Sequence, residues 1–193
     1  MPKARTILLV DDEAIVAADE ADVIRRYGYT VATAHSGPQA IKTISEGQKV
    51  DLILMDINLG RGMDGVETAR EILQLREIPI VFLTHYADEG VLDRVRTVTR
   101  YGYVLKSAGE FALMQSITIA FDLFETHRRA SEEEQRFRSY VENATDLVFT
   151  LDREGYVSYF SPNARDILGF EPLEAQGKHL SEIMHPLDLP KCE

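Results

Sequence analysis

Four short apolar runs, each closing on a polar residue, constrain this chain more than any other feature. They read Ile7-Leu8-Leu9-Val10 before Asp11-Asp12, Leu52 to Met55 before Asp56, Ile80 to Leu83 before Thr84, and Tyr103-Val104-Leu105 before Lys106. Apolar runs of this length, separated by helix-patterned stretches, read as buried parallel strands. In an open α/β sheet, ligands bind outside the carboxyl ends of the strands. The pattern therefore predicts three carboxylates, a hydroxyl and an ammonium gathered at one edge of a sheet.

The segments between the runs support this reading. Ala14 to Tyr27 is amphipathic and closed by Gly28, Thr30 to Ala34 is a further short strand, and Ser36-Gly37-Pro38 opens a helix through Ile44. Gly60 to Gly65 is a loop, Val66 to Leu75 is helical, and Asp88 to Thr99 is predicted as a helix. Five βα units of this kind imply a doubly wound α/β domain with a five-stranded parallel sheet and right-handed crossovers. From Glu110 to about Phe137 there is neither Pro nor Gly, which predicts one long helix. Phe111, Met114, Ile117, Phe121 and Phe124 are its expected apolar stripe, fading into polar sequence at His127-Arg128-Arg129 and Ser131 to Glu134. A helix that is polar all round is a bridge or an assembly element.

After Phe137 the pattern turns antiparallel. Asp146 to Leu151 and Tyr156 to Phe160 read as strands joined by the turn Asp152-Arg153-Glu154-Gly155, and Pro162-Asn163-Ala164 opens a short helix to Gly169-Phe170. The residues from Phe137 onward are few for an independent core, so they are expected to form a domain cut off partway.

Composition enters by exclusion. The 193 residues carry 21 basic and 32 acidic side chains, a net charge of −11, which argues against a nucleic-acid footprint. No apolar run is long enough to span a bilayer, and no secretory signal is visible. The single cysteine, Cys192, rules out an internal disulfide framework and fits a reducing cytoplasm.

The site chemistry follows from the residue types. Carboxylates about 4 Å apart repel by roughly 4 kcal/mol per pair at an effective dielectric near 20. Asp11, Asp12 and Asp56 can share one edge only with a cation among them or with raised pKa values. Mg²⁺ suits such a site, since it takes one or two carboxylates and keeps waters. One carboxylate could then act as nucleophile on a phosphoryl group, with Lys106 and the Thr84 hydroxyl binding the phosphoryl oxygens. Taken singly, the ordinary reading of each is the commoner one: Asp12 as a helix N-cap, Thr84 as a strand-end hydroxyl and Lys106 as a surface lysine.

Together, Leu9-Val10-Asp11-Asp12-Glu13, Leu54 to Leu59, Met63-Asp64-Gly65, Phe82-Leu83-Thr84 and Tyr103 to Lys106 resemble the receiver domain of two-component response regulators, a flavodoxin-like fold. The resemblance covers about residues 4 to 125. It implies that Asp56 accepts a phosphoryl group from a histidine kinase or phosphotransfer protein. It also implies that Asp12, Asp56 and the backbone carbonyl of Asn58 hold Mg²⁺ with help from Asp11, that Thr84 and Lys106 bind the phosphoryl group, and that Tyr103 is a rotamer switch. One departure is Ser107, where the family usually has proline after the lysine. A non-proline cis bond costs about 3–4 kcal/mol, so a trans Lys106–Ser107 bond is expected. The side chains of Asn58 and Tyr86 are candidates for tuning the phosphoryl lifetime.

Phe137 to Ala144, Leu147 to Gly155, Tyr159 to Ala164 with Leu168-Gly169-Phe170, and His185-Pro186-Leu187-Asp188 resemble the first half of a PAS sensor domain. No PAS ligand can be assigned: Cys192 lacks a photosensor motif, and His179 and His185 read as ordinary surface or packing residues. The expected organisation is a receiver over 1–125, a helical connector over 126–136 and a PAS region over 137–193. Phosphorylation would signal through the face built from Asp88–Thr99, Tyr103 and Glu110–Glu134, which could also form a homodimer. Three alternatives stay open. The chain could be the N-terminal regulatory part of a larger sensor histidine kinase, although no catalytic core is present and His127 lacks the acidic neighbour of a phosphoacceptor histidine. It could be a metal-dependent phosphohydrolase, or a binding module that is never phosphorylated.

Overall fold

In the computed structural model, residues 5–85, 89–99, 101–142, 146–169 and 171–183 are described. Five strands form a parallel sheet in the order β2-β1-β3-β4-β5: β1 (Thr6–Val10), β2 (Thr30–Ala34), β3 (Leu52–Asp56), β4 (Ile80–Thr84) and β5 (Tyr103–Leu105). The central strands β3 and β4 are buried along their whole length, as a sheet covered on both faces requires. Strand order reverses between β1 and β3, where Val10 pairs with Met55. Asp11, Asp12 and Asp56 leave the sheet at this switch point, where open α/β sheets place ligands.

Alternation along the strands builds two cores. Leu8, Val10, Ile53, Met55 and Phe82 face one side with Val66 and Ile72 of α3 (Gly65–Leu75) and with Ala40 and Ile44 of α2 (Gly37–Ser45). Ile7, Leu9, Leu52, Leu54, Val81 and Leu83 face the other, against Ala17, Ala21 and Ile24 of α1 (Ala14–Arg26) and Leu113, Ile117 and Phe121 of α5 (Gly109–Glu142). Helix starts are set locally. Ser36 caps α2 by accepting from the Gln39 N–H, and Asp64 and Glu67 form a capping box on α3.

Several expected boundaries shift. Helix α4 is Glu89–Arg96 rather than reaching Thr99, because Val98 and Thr99 both donate to the Val95 carbonyl and the Thr99 hydroxyl ties back to the Ile80 carbonyl at 2.7 Å. Asp88 lies outside the described residues. Helix α5 continues past Phe137 to Glu142, and residues 126–140 are exposed throughout. Its buried stripe is Leu113, Met114, Ile117, Ala120 and Phe121, whereas Phe111 is 76% exposed. At 3.6 residues per turn, Phe111 sits about a third of a turn from the centre of that face.

The chain divides into two compact units at Arg128/Arg129. In the second, β6 (Phe149–Leu151) pairs antiparallel with β7 (Val157–Phe160). The Asp152 carboxylate secures the hairpin turn by accepting from the N–H groups of Glu154 at 3.0 Å and Tyr156 at 2.8 Å. Strand β6 starts at Phe149 rather than Asp146, because the Val148 N–H donates to the Ser161 hydroxyl and the Asp146 carbonyl accepts from Asn163. Short helices α6 (Ala164–Leu168), α7 (Pro172–Ala175) and α8 (Leu180–Ile183) follow, with Val157, Phe160, Ala164 and Ala175 as the small core. His185 to Asp188, Phe170, Asn143, Ala144 and Cys192 fall outside the described residues. Among the described residues, no helix is long and apolar enough to cross a membrane.

Candidate functional site

The strand ends bring the expected side chains together. Asp11, Asp56 and Thr84 are buried, and Lys106 follows β5 as the first residue of a short 3-10 turn, Lys106–Ala108. The Lys106 side chain is only 5% exposed, and its ammonium lies 2.6 Å from Asp11 Oδ2 and 2.5 Å from Asp56 Oδ2. The remaining carboxylate oxygens accept backbone N–H groups: Asp11 Oδ1 from Glu13 at 2.8 Å and Asp56 Oδ1 from Asn58 at 3.1 Å. The carbonyl of Asp11 accepts from His35 Nδ1 at 3.0 Å, an arrangement that requires the proton on that nitrogen.

Electrostatics follow from this geometry. Burial pushes the Asp56 carboxyl up, while the Lys106 hydrogen bond and charge and the Asn58 N–H oppose the rise. Burial alone would lower the Lys106 ammonium, but its hydrogen bonds to Asp11 and Asp56 outweigh it and the net shift is upward.

Asp12 is exposed, and its carboxylate joins those of Asp11 and Asp56 in a cluster whose ligand oxygens lie within 4.8 Å of one another. It does not cap α1: the N-cap position is Glu13, with no side-chain cap bond. Instead Asp12 faces the loop after β3, where a Cβ on Gly60 would meet its Oδ2 at 2.8 Å. Gly60 also holds φ +70°, so glycine serves both the turn and the close approach. Gly65 is tighter still, since a Cβ there would lie 1.9 Å from the Asp56 backbone oxygen.

The donor set fits a small, hard divalent cation. Three carboxylates against one ammonium leave two formal negative charges uncompensated, and Asp12 opens the cluster to solvent so that an ion could retain waters. The described residues contain no cis peptide, so Lys106–Ser107 is trans, as Ser107 led us to expect. Tyr103 is 39% exposed on the edge strand, beside Ala108, Ala112 and Ser116. Tyr86 lies outside the described residues.

Two polar participants, His35 and Glu20, escaped the sequence reading, and Gly60 was read only as a loop residue. His35 had no local signal beyond its type. Glu20 had one, because it lies on the margin of the α1 face formed by Ala17, Ala21 and Ile24.

Comparison with known proteins agrees with the fold. The family model of the response regulator receiver domain matches residues 7–118, and that of the PAS fold matches residues 135–191. The chain belongs to the response regulator receiver family and carries a PAS domain after the receiver, which places it in two-component phosphorelay signalling. It is 31% identical over 153 residues to the transcriptional regulatory protein PdtaR of Mycobacterium tuberculosis, covering 76% of this chain and 74% of that relative. The N-terminal domain of a response regulator/sensory box/GGDEF three-domain protein from Carboxydothermus hydrogenoformans is 46% identical, with a TM-score of 0.61, covering 64% of this chain and 98% of that one. A CheY-like receiver domain protein from Methanospirillum hungatei, 24% identical with a TM-score of 0.59 over 65% of this chain and 99% of that one, shares the fold.

Proposed function

We propose that Asp56 is the phosphoacceptor of a Mg²⁺-dependent switch, loaded by a histidine kinase or a phosphotransfer protein. The observation that carries this reading is the buried Lys106 ammonium joining Asp56 to Asp11 at the sheet's switch point, with Asp12 beside them. Asp11, Asp12 and Asp56, with the backbone carbonyl of Asn58, would hold the metal. A bound Mg²⁺ would neutralise the carboxylates and the incoming phosphoryl oxygens.

The chain's own residues do the rest. An Asp56 carboxylate oxygen forms the new O–P bond as the donor's bond to phosphorus breaks, and the electron pair leaves with the donor. Lys106 shifts from the carboxylate to the phosphoryl oxygens, and the Thr84 hydroxyl donates to them. One charge-assisted hydrogen bond contributes about 1.5–3 kcal/mol, whereas moving a switch from mostly off to mostly on needs about 5.5 kcal/mol. Thr84 and Lys106 therefore act together. Tyr103 then repacks, and the face of α4, β5 and α5 carries the change along residues 126–136 toward the PAS region or into a homodimer. On this reading the receiver spans residues 1–125 and the protein works in the cytoplasm. The sensor-kinase reading makes the same use of this receiver.

The test is intact mass after incubation with Mg²⁺ and a small phosphodonor, with Asp56→Asn in parallel. One added phosphoryl group in the parent, absent from the variant and without Mg²⁺, is the expected result. No addition where a known receiver is labelled would leave the domain as a module that signals by binding alone, and repeated turnover of phosphate esters would make it a phosphohydrolase.

A further inference from the structure

A carboxylate outside the acidic cluster bears on the same ammonium. Glu20 on α1 and Lys106 share the wall of a cavity of about 200 Å³, closed by Val23, Leu83, Leu105 and Leu113. Glu20 Oε2 is fully buried, and among the described residues it has no hydrogen-bond partner. A buried acceptor left this way costs about 1–3 kcal/mol, so its persistence calls for a reason. An ammonium has three donors, and the contacts with Asp11 and Asp56 use two of Lys106's. A spare donor and a spare acceptor thus border one small, mainly apolar space.

We propose that Glu20 is a second counter-charge for Lys106, a positioning residue that competes with Asp56 for the ammonium and so sets how readily the acidic cluster takes up a divalent cation. The proposal rests on the assignment of that cluster as a cation and phosphoryl site. When Glu20 is ionised it draws Lys106 toward α1, loosening its hold on Asp56. When Glu20 is protonated, Lys106 stays clamped between Asp11 and Asp56. Few other charges interfere. The charged groups facing Glu20 are Lys106, Asp11 just after β1, Asp56 at the end of β3 and Glu110 on α5, and Glu110 is already paired with Arg26 at 2.6 Å.

The protonation state is poised for this. Burial, opposed by Lys106 and reinforced by Asp11 and Asp56, raises the Glu20 carboxyl from 4.5 to about 7. A cation in the acidic cluster stabilises ionised Glu20 and lowers that value. By linkage, Glu20's help to cation binding is fully present above about pH 7 and is lost as pH falls through the lower, cation-bound value.

The experiment is Mg²⁺ titration of the whole chain by calorimetry between pH 5.5 and 8.5, for the parent and Glu20→Gln. The ratio of dissociation constants, variant over parent, is expected to rise from near one at the acid end to about ten at the alkaline end, equivalent to about 1.4 kcal/mol. A merely structural role leaves that ratio flat, and a flat ratio overturns the proposal. A second arm needs no metal: the Glu20 carboxyl is followed by carbon NMR in the parent and in Asp56→Asn. Freeing Lys106 from Asp56 should lower the Glu20 midpoint by about one pH unit, a tenfold change. An unmoved midpoint also overturns the proposal. Failure of Mg²⁺ to bind the parent at any pH would instead sink the assignment of the cluster, and the Asp56→Asn arm would still decide whether Glu20 and Asp56 compete.

Discussion

Replacing Lys106 with Met keeps most of the buried stem and removes only the charge. Asp11 and Asp56 would then face each other with side chains 0% and 6% exposed and no ammonium between them. Removing one partner of a buried ion pair costs about 3–5 kcal/mol. The backbone N–H groups that Asp11 and Asp56 accept remain, and Asp56 can relax by binding a proton, so the low end, about 3 kcal/mol, is expected. For a unit of this size that corresponds to a fall of about 12 °C in Tm, read by circular dichroism in a chelator at pH 7.5. Mg²⁺ should then rescue the variant more than it stabilises the parent, because the ion replaces the missing charge; a hundredfold excess over Kd contributes about 2.7 kcal/mol. The deficit should also shrink as pH falls, since burial already raises the Asp56 carboxyl and it regains neutrality by binding a proton. A fall below about 3 °C, or an equal Mg²⁺ gain in variant and parent, would refute the reasoning.

Glu20→Leu should stabilise the protein at alkaline pH. The folded Glu20 value, about 7, lies above its ordinary 4.5, so stability is full below 4.5 and lost as pH rises toward 7; the variant escapes that loss and should gain about 1 kcal/mol at pH 8 in urea unfolding, and nothing at pH 4. Asp64→Ala removes the capping box of α3 and the 2.6 Å contact with Arg94, costing about 1 kcal/mol by the same assay. Burial would raise Asp64, but the Arg94 and Glu67 bonds prevail and lower it, so its contribution is present above the ordinary 3.8 and is lost as pH falls below it. Gly65→Ala drives a methyl group into the Asp56 backbone oxygen; phosphoryl uptake measured by intact mass should fall more than tenfold, and unchanged uptake would show that the loop gives way freely.

Much of the architecture was legible because buried parallel strands announce themselves as apolar runs, and because each run here ends on the group the site uses. That suffices to place Asp11, Asp56, Thr84 and Lys106 at one edge, since strand direction and sheet order follow from chain connectivity. The sequence could not settle what each end group touches. By its position Asp12 reads as a helix N-cap; the close approach of Gly60 instead sets it against the loop after β3, a contact between segments far apart in sequence. Helical periodicity marks an apolar stripe but not where the sheet lies beneath it, so Phe111 reads as core yet is exposed. Glu20 was hidden for the same reason: its marginal position on α1 leaves it half-buried, with Oε2 buried in the wall of a cavity that Leu105 and Leu113 also line. Nor does strand propensity reveal that Val148 donates to Ser161 rather than to a ladder, which shortens β6. Local pattern and connectivity fix the strand ends, so the chemical groups that reach the sheet edge are already written in the chain. Their partners and exposure come from folding, because both depend on surfaces brought together from distant parts of the chain.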